Sequence, residues 1–235
     1  MIDKIASSVD EALGPIADGS TILIGGFGFG GTPYELIEGL VRKAPRELTI
    51  VCNNAGTGDT GIAALLLAGC VRKIICSFPR QAESYAFDDL YRAKKLELEL
   101  VPQGTLAERI RAGGAGIGGF FTRTAAGTLL AQGKESREID GDLYVFEKPI
   151  RGDLALVQAE VGDRWGNLIY RKSGRNFGPV MATAAEHTVA GVHEIAALGE
   201  LDPEHIVTPA AFVSSVVKVP RHHPLPVSPS DKKAA

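Results

Sequence analysis

Four groups of residues in this chain have the types and spacing to hold an oxygen-rich ligand. The first is the run Gly25, Gly26, Phe27, Gly28, Phe29, Gly30 and Gly31, in which five of seven residues are glycine. The second is the amide pair Asn53 and Asn54, the third is Ser77, and the fourth is Pro102-Gln103-Gly104. Glycine backbone, carboxamides and hydroxyls all donate hydrogen bonds to carbonyl, carboxylate or phosphate oxygens. None of them is an acid or base that titrates near neutrality. The pattern therefore points to recognition of a carbonyl or an anion, without proton transfer or nucleophilic attack by these groups.

Other chemistries fit less well. Gly26-Phe27-Gly28-Phe29-Gly30-Gly31 satisfies G-x-G-x-x-G, but a dinucleotide fold also needs an acidic residue at the end of the second strand to hold the ribose hydroxyls. That strand ends in Cys52-Asn53-Asn54. A second match, Gly114 to Gly119, follows a predicted helix, where the motif needs a strand. No Gly-Lys-Ser/Thr follows either run, so neither is a phosphate loop of the nucleotide-hydrolase type. His187, His193, His205, His222 and His223 have no Cys, Asp or Glu at metal-ligand spacing, and no metal is expected. Ser77 and Ser84 lack a G-x-S-x-G setting. Glu83, Glu108 and Glu160 stand in no environment that marks a catalytic carboxylate. Arg80, Arg92, Arg109 and Arg111 either neutralise a dicarboxylate or a phosphate, or are solvated arginines on helices.

These residues need elements to position them. Thr21 to Ile24 reads as a buried strand, with Thr32 and Pro33 opening a helix from Tyr34 to Arg42 that carries Leu36, Ile37, Leu40 and Val41. Leu48–Cys52, Val71–Cys76 and Leu96–Val101 are further strands; the last alternates Glu with Leu, which suits a sheet edge. Helices are predicted from Asp59-Thr60 to Ala68, over Ser84–Ala93, and over Thr105–Arg111 with Thr105 and Glu108 as a capping box. An earlier helix is expected over Asp3–Leu13. Four strand-to-helix units indicate an α/β fold with a doubly wound, mostly parallel sheet flanked by helices. Ligands in such sheets bind outside the strand carboxyl ends, which here carry the four groups above. Beyond Gly113 the pattern changes to a flexible glycine-rich segment over 113–128. A mixed-strand part follows: Glu138–Asp140, Leu143–Glu147, Leu154–Val161, a turn at Asp163–Asn167, Leu168–Tyr170, a helix over Pro179–Ala185, then Val189–Val192 and Phe212–Val219. One domain is expected over 1–219, with a disordered tail over 220–235.

The chain has 235 residues and a formal net charge of −3, with both signs interspersed, so nucleic acid and membrane are not expected partners. No signal peptide is read at the N-terminus, and Ile62–Ala68 is too short to span a bilayer. Cys52, Cys70 and Cys76 are an odd number, two of them within strands, which suits reduced, buried thiols in a cytoplasmic protein.

Longer motifs carry a specific resemblance. Asp18-Gly19, three aliphatic residues, Gly25-Gly26-Phe27 and Gly31-Thr32-Pro33 resemble the signature of family I CoA-transferases at the same spacing. The likeness continues through Leu48 to Gly56, Pro102 to Arg111 and Gly162 to Asn167, and ends at Arg171-Lys172-Ser173-Gly174-Arg175-Asn176-Phe177. It covers roughly residues 1 to 219. Ile75 to Gln81 and Ser84 to Asp88 are similar to α subunits acting on 3-oxoadipate; acetoacetate enzymes look different there. The resemblance implies the NagB-like α/β fold and an α subunit in an (αβ)n heteromer. That enzyme would move CoA from succinyl-CoA to a 3-oxo acid, 3-oxoadipate first and acetoacetate second, within aromatic catabolism. It implies no cofactor, the CoA thioester being a substrate. In the family a glutamate of a Ser-Glu-Asn-Gly motif attacks the thioester, forms a glutamyl-CoA thioester through an anhydride, and passes CoA to the acceptor acid. That motif does not occur in this chain, so the β subunit is expected to supply it. Carried over, Gln103 is an oxyanion-hole donor and Gly25 to Gly31 the CoA-binding segment. Asn53, Asn54 and Ser77 would line the acyl pocket. An acyl-CoA-binding protein without catalysis, keeping the same fold, is the alternative from another class. One departure stands out: Phe120-Phe121-Thr122-Arg123-Thr124-Ala125 replaces the family's Phe-Tyr/Phe-Thr-Pro-Thr-Gly. It implies either a more mobile loop or an Arg123 that contacts a substrate carboxylate.

Overall fold

The computed structural model describes residues 2–221. Its strands are β1 (Ile5–Ala6), β2 (Thr21–Ile24), β3 (Leu48–Asn54), β4 (Val71–Phe78), β5 (Glu97–Leu100), β6 (Phe120–Thr122), β7 (Ser136–Ile139), β8 (Asp142–Glu147), β9 (Gly152–Asp163), β10 (Leu168–Ile169), β11 (Ala185–Ala196) and β12 (Ser215–Lys218). Its helices are α1 (Val9–Leu13), α2 (Tyr34–Lys43), α3 (Ile62–Leu67), α4 (Tyr85–Arg92), α5 (Gln103–Gly114) and α6 (Gly178–Thr183). The main sheet runs β1-β12-β11-β9-β2-β3-β4-β5, with β10 added antiparallel to β9. Every other pairing in it is parallel. A separate antiparallel sheet has the order β6-β8-β7.

The order reverses beside β2. The chain steps outward from β2 to β5, then returns to the other side of β2 with β9 and continues to β11 and β12. The alternation of the strands explains the helical layers. Ile22, Ile24, Ile50, Cys52, Ile74, Leu154 and Leu156 face one side and pack with Leu13, Leu36, Leu40, Leu65 and Phe87 of α1 to α4. Leu23, Val51, Ile75, Ala155 and Val157 face the other side and pack with Leu106, Ile110 and Met181 of α5 and α6. Each fully buried aliphatic side chain contributes roughly 1.5–3 kcal/mol, so a one-residue slip in any strand would exchange the two faces at high cost.

Several local expectations are corrected. Asp3–Leu13 is not one helix: Ile5–Ala6 pairs with β12, and Ser8 caps the short α1 by accepting from the Glu11 N–H. The parallel partner strand, distant in sequence, overrides local helical spacing. Thr32 does not cap α2; its Oγ1 donates to the Gly28 carbonyl (3.1 Å), which helps close the glycine loop. Asp59 and Thr60 do not cap α3, whose N-cap is Gly61. The capping box at Thr105 is absent because α5 begins two residues earlier, at Gln103, and Glu108 pairs with Arg111 (2.5 Å) instead. The 113–128 stretch is not uniformly a loop. Gly113 and Gly114 complete α5, where a Cβ on Gly113 would collide with the Ile150 carbonyl, and Phe120–Thr122 forms β6. Arg123 pairs with Asp142 of β8 (3.0 Å), and Ala125 takes the left-handed φ of 68° that its glycine counterpart would adopt without strain. Phe212–Val219 is strand only from Ser215 to Lys218. Of the expected tail, residues 222–235, with His222 and His223, lie outside the described residues. Among the described residues no helix is long and apolar enough to cross a membrane.

Candidate active site

The carboxyl ends of β2, β3 and β4 and the start of α5 lie together, and side-chain parity decides which groups meet. Asn53 follows Cys52 on β3, so it shares the face of Val51; Ser77 follows Cys76 on β4 and shares the face of Ile75. Both point to the side where α5 packs. Asn53 is buried, and its Oδ1 accepts hydrogen bonds from Ser77 Oγ (2.9 Å) and Gln103 Nε2 (2.7 Å). Ser77 Oγ also lies 3.2 Å from the Asn53 carbonyl oxygen. A carboxamide nitrogen carries two N–H bonds. The Gln103 amide therefore keeps one donor free, and Asn53 Nδ2 makes no hydrogen bond to another described residue. Two carboxamide nitrogens with open donors thus lie side by side, joined through Asn53 Oδ1.

Asn54 is not part of this triad. It sits on the opposite face, and its Oδ1 closes a turn by accepting from the Gly56 N–H (3.0 Å). Both asparagines border a cavity of about 20 Å³ under the glycine loop, which also touches Gly25, Gly26, Gly28 and Phe29. That volume holds about one water molecule and no thioester.

The glycine loop is a tight hairpin. Phe27 and Gly30 exchange backbone hydrogen bonds (3.0 and 3.1 Å), which leaves Gly28 and Phe29 at the tip. Gly25 N–H donates to the Leu156 carbonyl of β9 (2.9 Å). Phe27 and Phe29 are half exposed. Gly26 (φ 122°) and Gly31 (φ 67°) have backbone that L side chains rarely adopt, and a Cβ on Gly31 would also strike Gly174 and Asn176. The sequence gives no sign of what clamps this hairpin. It is Asn176, in the segment after β10. Asn176 Oδ1 accepts from Gly26 N–H (3.0 Å) and Phe177 N–H (2.6 Å), and its Nδ2 donates to the Gly30 carbonyl (2.9 Å). An asparagine two residues after Gly174 in a polar segment is a weak turn signal, and nothing local reveals a partner 150 residues away.

The arginines raised as anion ligands are engaged elsewhere, except Arg92. Arg80 forms a fork with Asp88 (2.7 and 2.9 Å), and hydrogen bonding to it holds the Asp88 carboxyl below its usual range. Arg109 is buried, not solvated, and bonds Glu99 (2.8 Å) and the Lys148 carbonyl (2.7 Å). Glu108 is paired with Arg111 and Glu160 with Arg221. Burial raises the Cys52 thiol well above its ordinary range and Cys76 to about 12, so both remain protonated, apolar and inert. A cavity of about 660 Å³ lies at the amino ends of β2, β9, β11 and β12 beside Ile5, Leu13 and His187. None of the predicted site residues borders it, and doubly wound sheets bind ligands at the other end.

Residues 6–219 match the family described as Coenzyme A transferase. The chain is 61% identical over 219 residues to the A-subunit of 3-oxoadipate CoA-transferase from Pseudomonas putida, a match covering 93% of this chain and 95% of that one. It is 62% identical to the A-subunit of the same enzyme from Acinetobacter baylyi, covering 93% and 96%. The A-subunit of a probable succinyl-CoA:3-ketoacid coenzyme A transferase from Bacillus subtilis is 48% identical, covering 91% and 89%. Among solved structures, an acyl-CoA transferase from Escherichia coli O157:H7 in a thioester complex with CoA has a TM-score of 0.85 at 23% identity; the match covers 94% of this chain and 50% of that one. Glutaconate coenzyme A-transferase from Acidaminococcus fermentans has a TM-score of 0.82 at 21% identity, covering 92% and 76%. These two likenesses establish the fold.

Proposed function

The chain belongs to the Coenzyme A transferase family, and from that membership we propose that it is the α subunit of a heteromeric enzyme. The reaction is 3-oxoadipate + succinyl-CoA giving 3-oxoadipyl-CoA + succinate. The observation that carries this reading is the 61% and 62% identity to the A-subunits of two 3-oxoadipate CoA-transferases, spread over 93% of this chain. The 3-ketoacid relative is more distant, at 48%, which favours 3-oxoadipate over acetoacetate as acceptor. The subunit naming of these relatives supplies the partner, a β subunit that brings the nucleophilic glutamate.

In this reading each group is assigned a role that its geometry supports. The hairpin Gly25 to Gly31, with exposed Phe27 and Phe29, receives CoA. The open donors of Gln103 and Asn53 hold the thioester carbonyl oxygen as it takes up negative charge, a contribution of roughly 3–4 kcal/mol for one such donor. Ser77 keeps Asn53 oriented. Asn54 shapes the turn behind the site. No proton is exchanged with this chain, which suits a set of residues without a titrating member. The thioester is a substrate, and the chemistry needs no separate cofactor or metal. The enzyme belongs in the cytoplasm, where its CoA substrates are.

The test is to purify the chain with and without a β subunit containing Ser-Glu-Asn-Gly and to follow loss of succinyl-CoA on adding 3-oxoadipate. Turnover is expected only from the mixture. Turnover by this chain alone, or turnover with acetoacetate and none with 3-oxoadipate, would overturn the proposal.

A further inference from the structure

Lys172 and Arg175 stand out among the cations near the strand carboxyl ends. Arg80, Arg109 and Arg111 each have a carboxylate partner. Lys172, Arg175 and the neighbouring Arg171 are exposed, and their side chains make no ion pair or hydrogen bond with another described residue. Three positive charges in five residues, in a chain of net charge −3, form a local excess that nothing among the described residues neutralises.

Their placement is built. Lys172 to Arg175 form one turn of 3-10 helix between β10 and α6. Asn176 ties that turn to the glycine hairpin at Gly26 and Gly30, and the turn sits so close that Gly31 has no room for a Cβ. Lys172 is held at φ 50°, a left-handed conformation that costs a non-glycine residue energy and persists where the surroundings impose it. A cavity of about 440 Å³ lies against the turn, lined by Phe27, Gly30, Lys172, Ser173, Arg175 and Asn176. The fold puts this cavity at the topological switch point. The loop after β2 leads to α2 on one face of the sheet, while the segment after β9 and β10 leads to α6 on the other, and their divergence opens the crevice where such sheets bind ligands.

Resting on the transferase reading above, we infer that Lys172 and Arg175, reinforced by Arg171, form the subsite for the phosphate groups of the CoA substrate. The hairpin Phe27–Gly30 then separates two halves of one site. On one side, Gly26 and Gly28 face the cavity that Asn53 borders; on the other, Phe27 and Gly30 face the cations. A CoA molecule laid across the hairpin places its polyphosphate on Lys172 and Arg175 and its thioester toward Gln103. A guanidinium fork and an ammonium point charge are both suited to phosphate oxygens.

The experiment uses the complete αβ complex, as wild type, as Lys172→Gln/Arg175→Gln and as the charge-conserving Lys172→Arg/Arg175→Lys. Kinetics are compared for succinyl-CoA and for succinyl-pantetheine, which has the same thioester and no phosphate. The ratio of kcat/KM for the two is expected to fall about tenfold or more in the neutral variant, the worth of losing one charge-assisted contact. The conservative variant should recover most of the ratio, and rising salt should raise the KM for succinyl-CoA less in the neutral variant than in wild type. An unchanged ratio overturns the subsite. So does a selective rise in the KM for 3-oxoadipate, which would assign the cations to the distal carboxylate of the acid. If the wild-type complex transfers no CoA, the transferase reading fails. Calorimetric binding of CoA and pantetheine then decides the subsite separately, because a preference for CoA that survives in the neutral variant overturns it.

Discussion

Asn53 Oδ1 accepts from both Ser77 and Gln103, so these three side chains act as one unit and their losses will not add. Under the proposed mechanism Gln103 supplies a donor to the thioester oxygen, so Gln103→Ala in the αβ complex is expected to lower kcat about 10²–10³-fold with little change in KM. Asn53→Ala should cost a similar factor, since it removes a second donor and frees Gln103 to rotate. The double variant should be little worse than either single one. Ser77→Ala leaves the Gln103 bond to Asn53 in place and should cost much less. Steady-state kinetics on the four complexes decide this, and multiplicative losses would show that the groups act independently. At this scale the strand alternation was readable: adjacent asparagines on a buried strand must face opposite ways. Which of the two meets Gln103 was not readable, because that depends on which face of the sheet α5 covers.

At the scale of elements, the glycine hairpin owes its shape to a partner from the other half of the chain. Gly28 and Gly31 both adopt left-handed backbone, with φ of 60° and 67°. A methyl group added at Gly28 would stand in open space, whereas at Gly31 it would meet Gly174 and, at 2.8 Å, Asn176 Nδ2. Alanine at either position carries the left-handed penalty of roughly 1–2 kcal/mol. Only Gly31→Ala must also push the 172–176 turn away. Gly31→Ala is therefore expected to lower Tm more than Gly28→Ala and to speed amide exchange at Gly26, whose N–H bonds Asn176 (3.0 Å). Equal Tm values and unchanged exchange would show that the turn does not clamp the hairpin. The motif predicted backbone donors at a helix entrance. It carried no trace of the clamp, which comes from an element more than a hundred residues later.

At the scale of the molecule, a chain of charges joins the small sheet to the edge of the large one. Lys73 and Arg109 bond Glu99 (2.6 and 2.8 Å), while Glu147 of β8 lies 3.7 Å from Arg109 and bonds Lys134 (2.6 Å). Burial alone would raise the Glu99 carboxyl, but hydrogen bonds from Lys73 and Arg109 outweigh it and hold the group below its ordinary 4.5. A carboxyl whose folded pKa is lowered adds stability above its unfolded value and loses it as pH falls through the folded one. The wild-type chain should therefore lose stability as pH drops below about 4.5, relative to its ordinary carboxyl value. Glu99→Gln should be less stable at neutral pH and should converge on wild type in acid. Urea midpoints between neutral pH and about pH 3 measure this, and a pH-independent gap would remove Glu99 as the source. Glu147→Gln removes the carboxylate bonded to Lys134 (2.6 Å), while Arg109 keeps its closer partner Glu99 (2.8 Å).

From residue order alone came the strand–helix alternation, the parallel sheet, the edge position of Glu97–Leu100 and the family. Each of these is written in local periodicity or in contiguous motifs, because burial on one face of a helix or strand repeats within a few residues. The tertiary structure alone decided the rest. It split the Asp3–Leu13 segment between a strand and a short helix, since pairing with Val216 and Val217 outweighs local propensity. It separated Asn53 from Asn54, brought Gln103 to Asn53 from 50 residues away, and locked Gly26 to Asn176. It also showed which cations are neutralised within the chain and which, at Lys172 and Arg175, are left facing a cavity. Charge pairing and clamping depend on distances between elements, and no stretch of sequence contains those distances until the sheet order closes them.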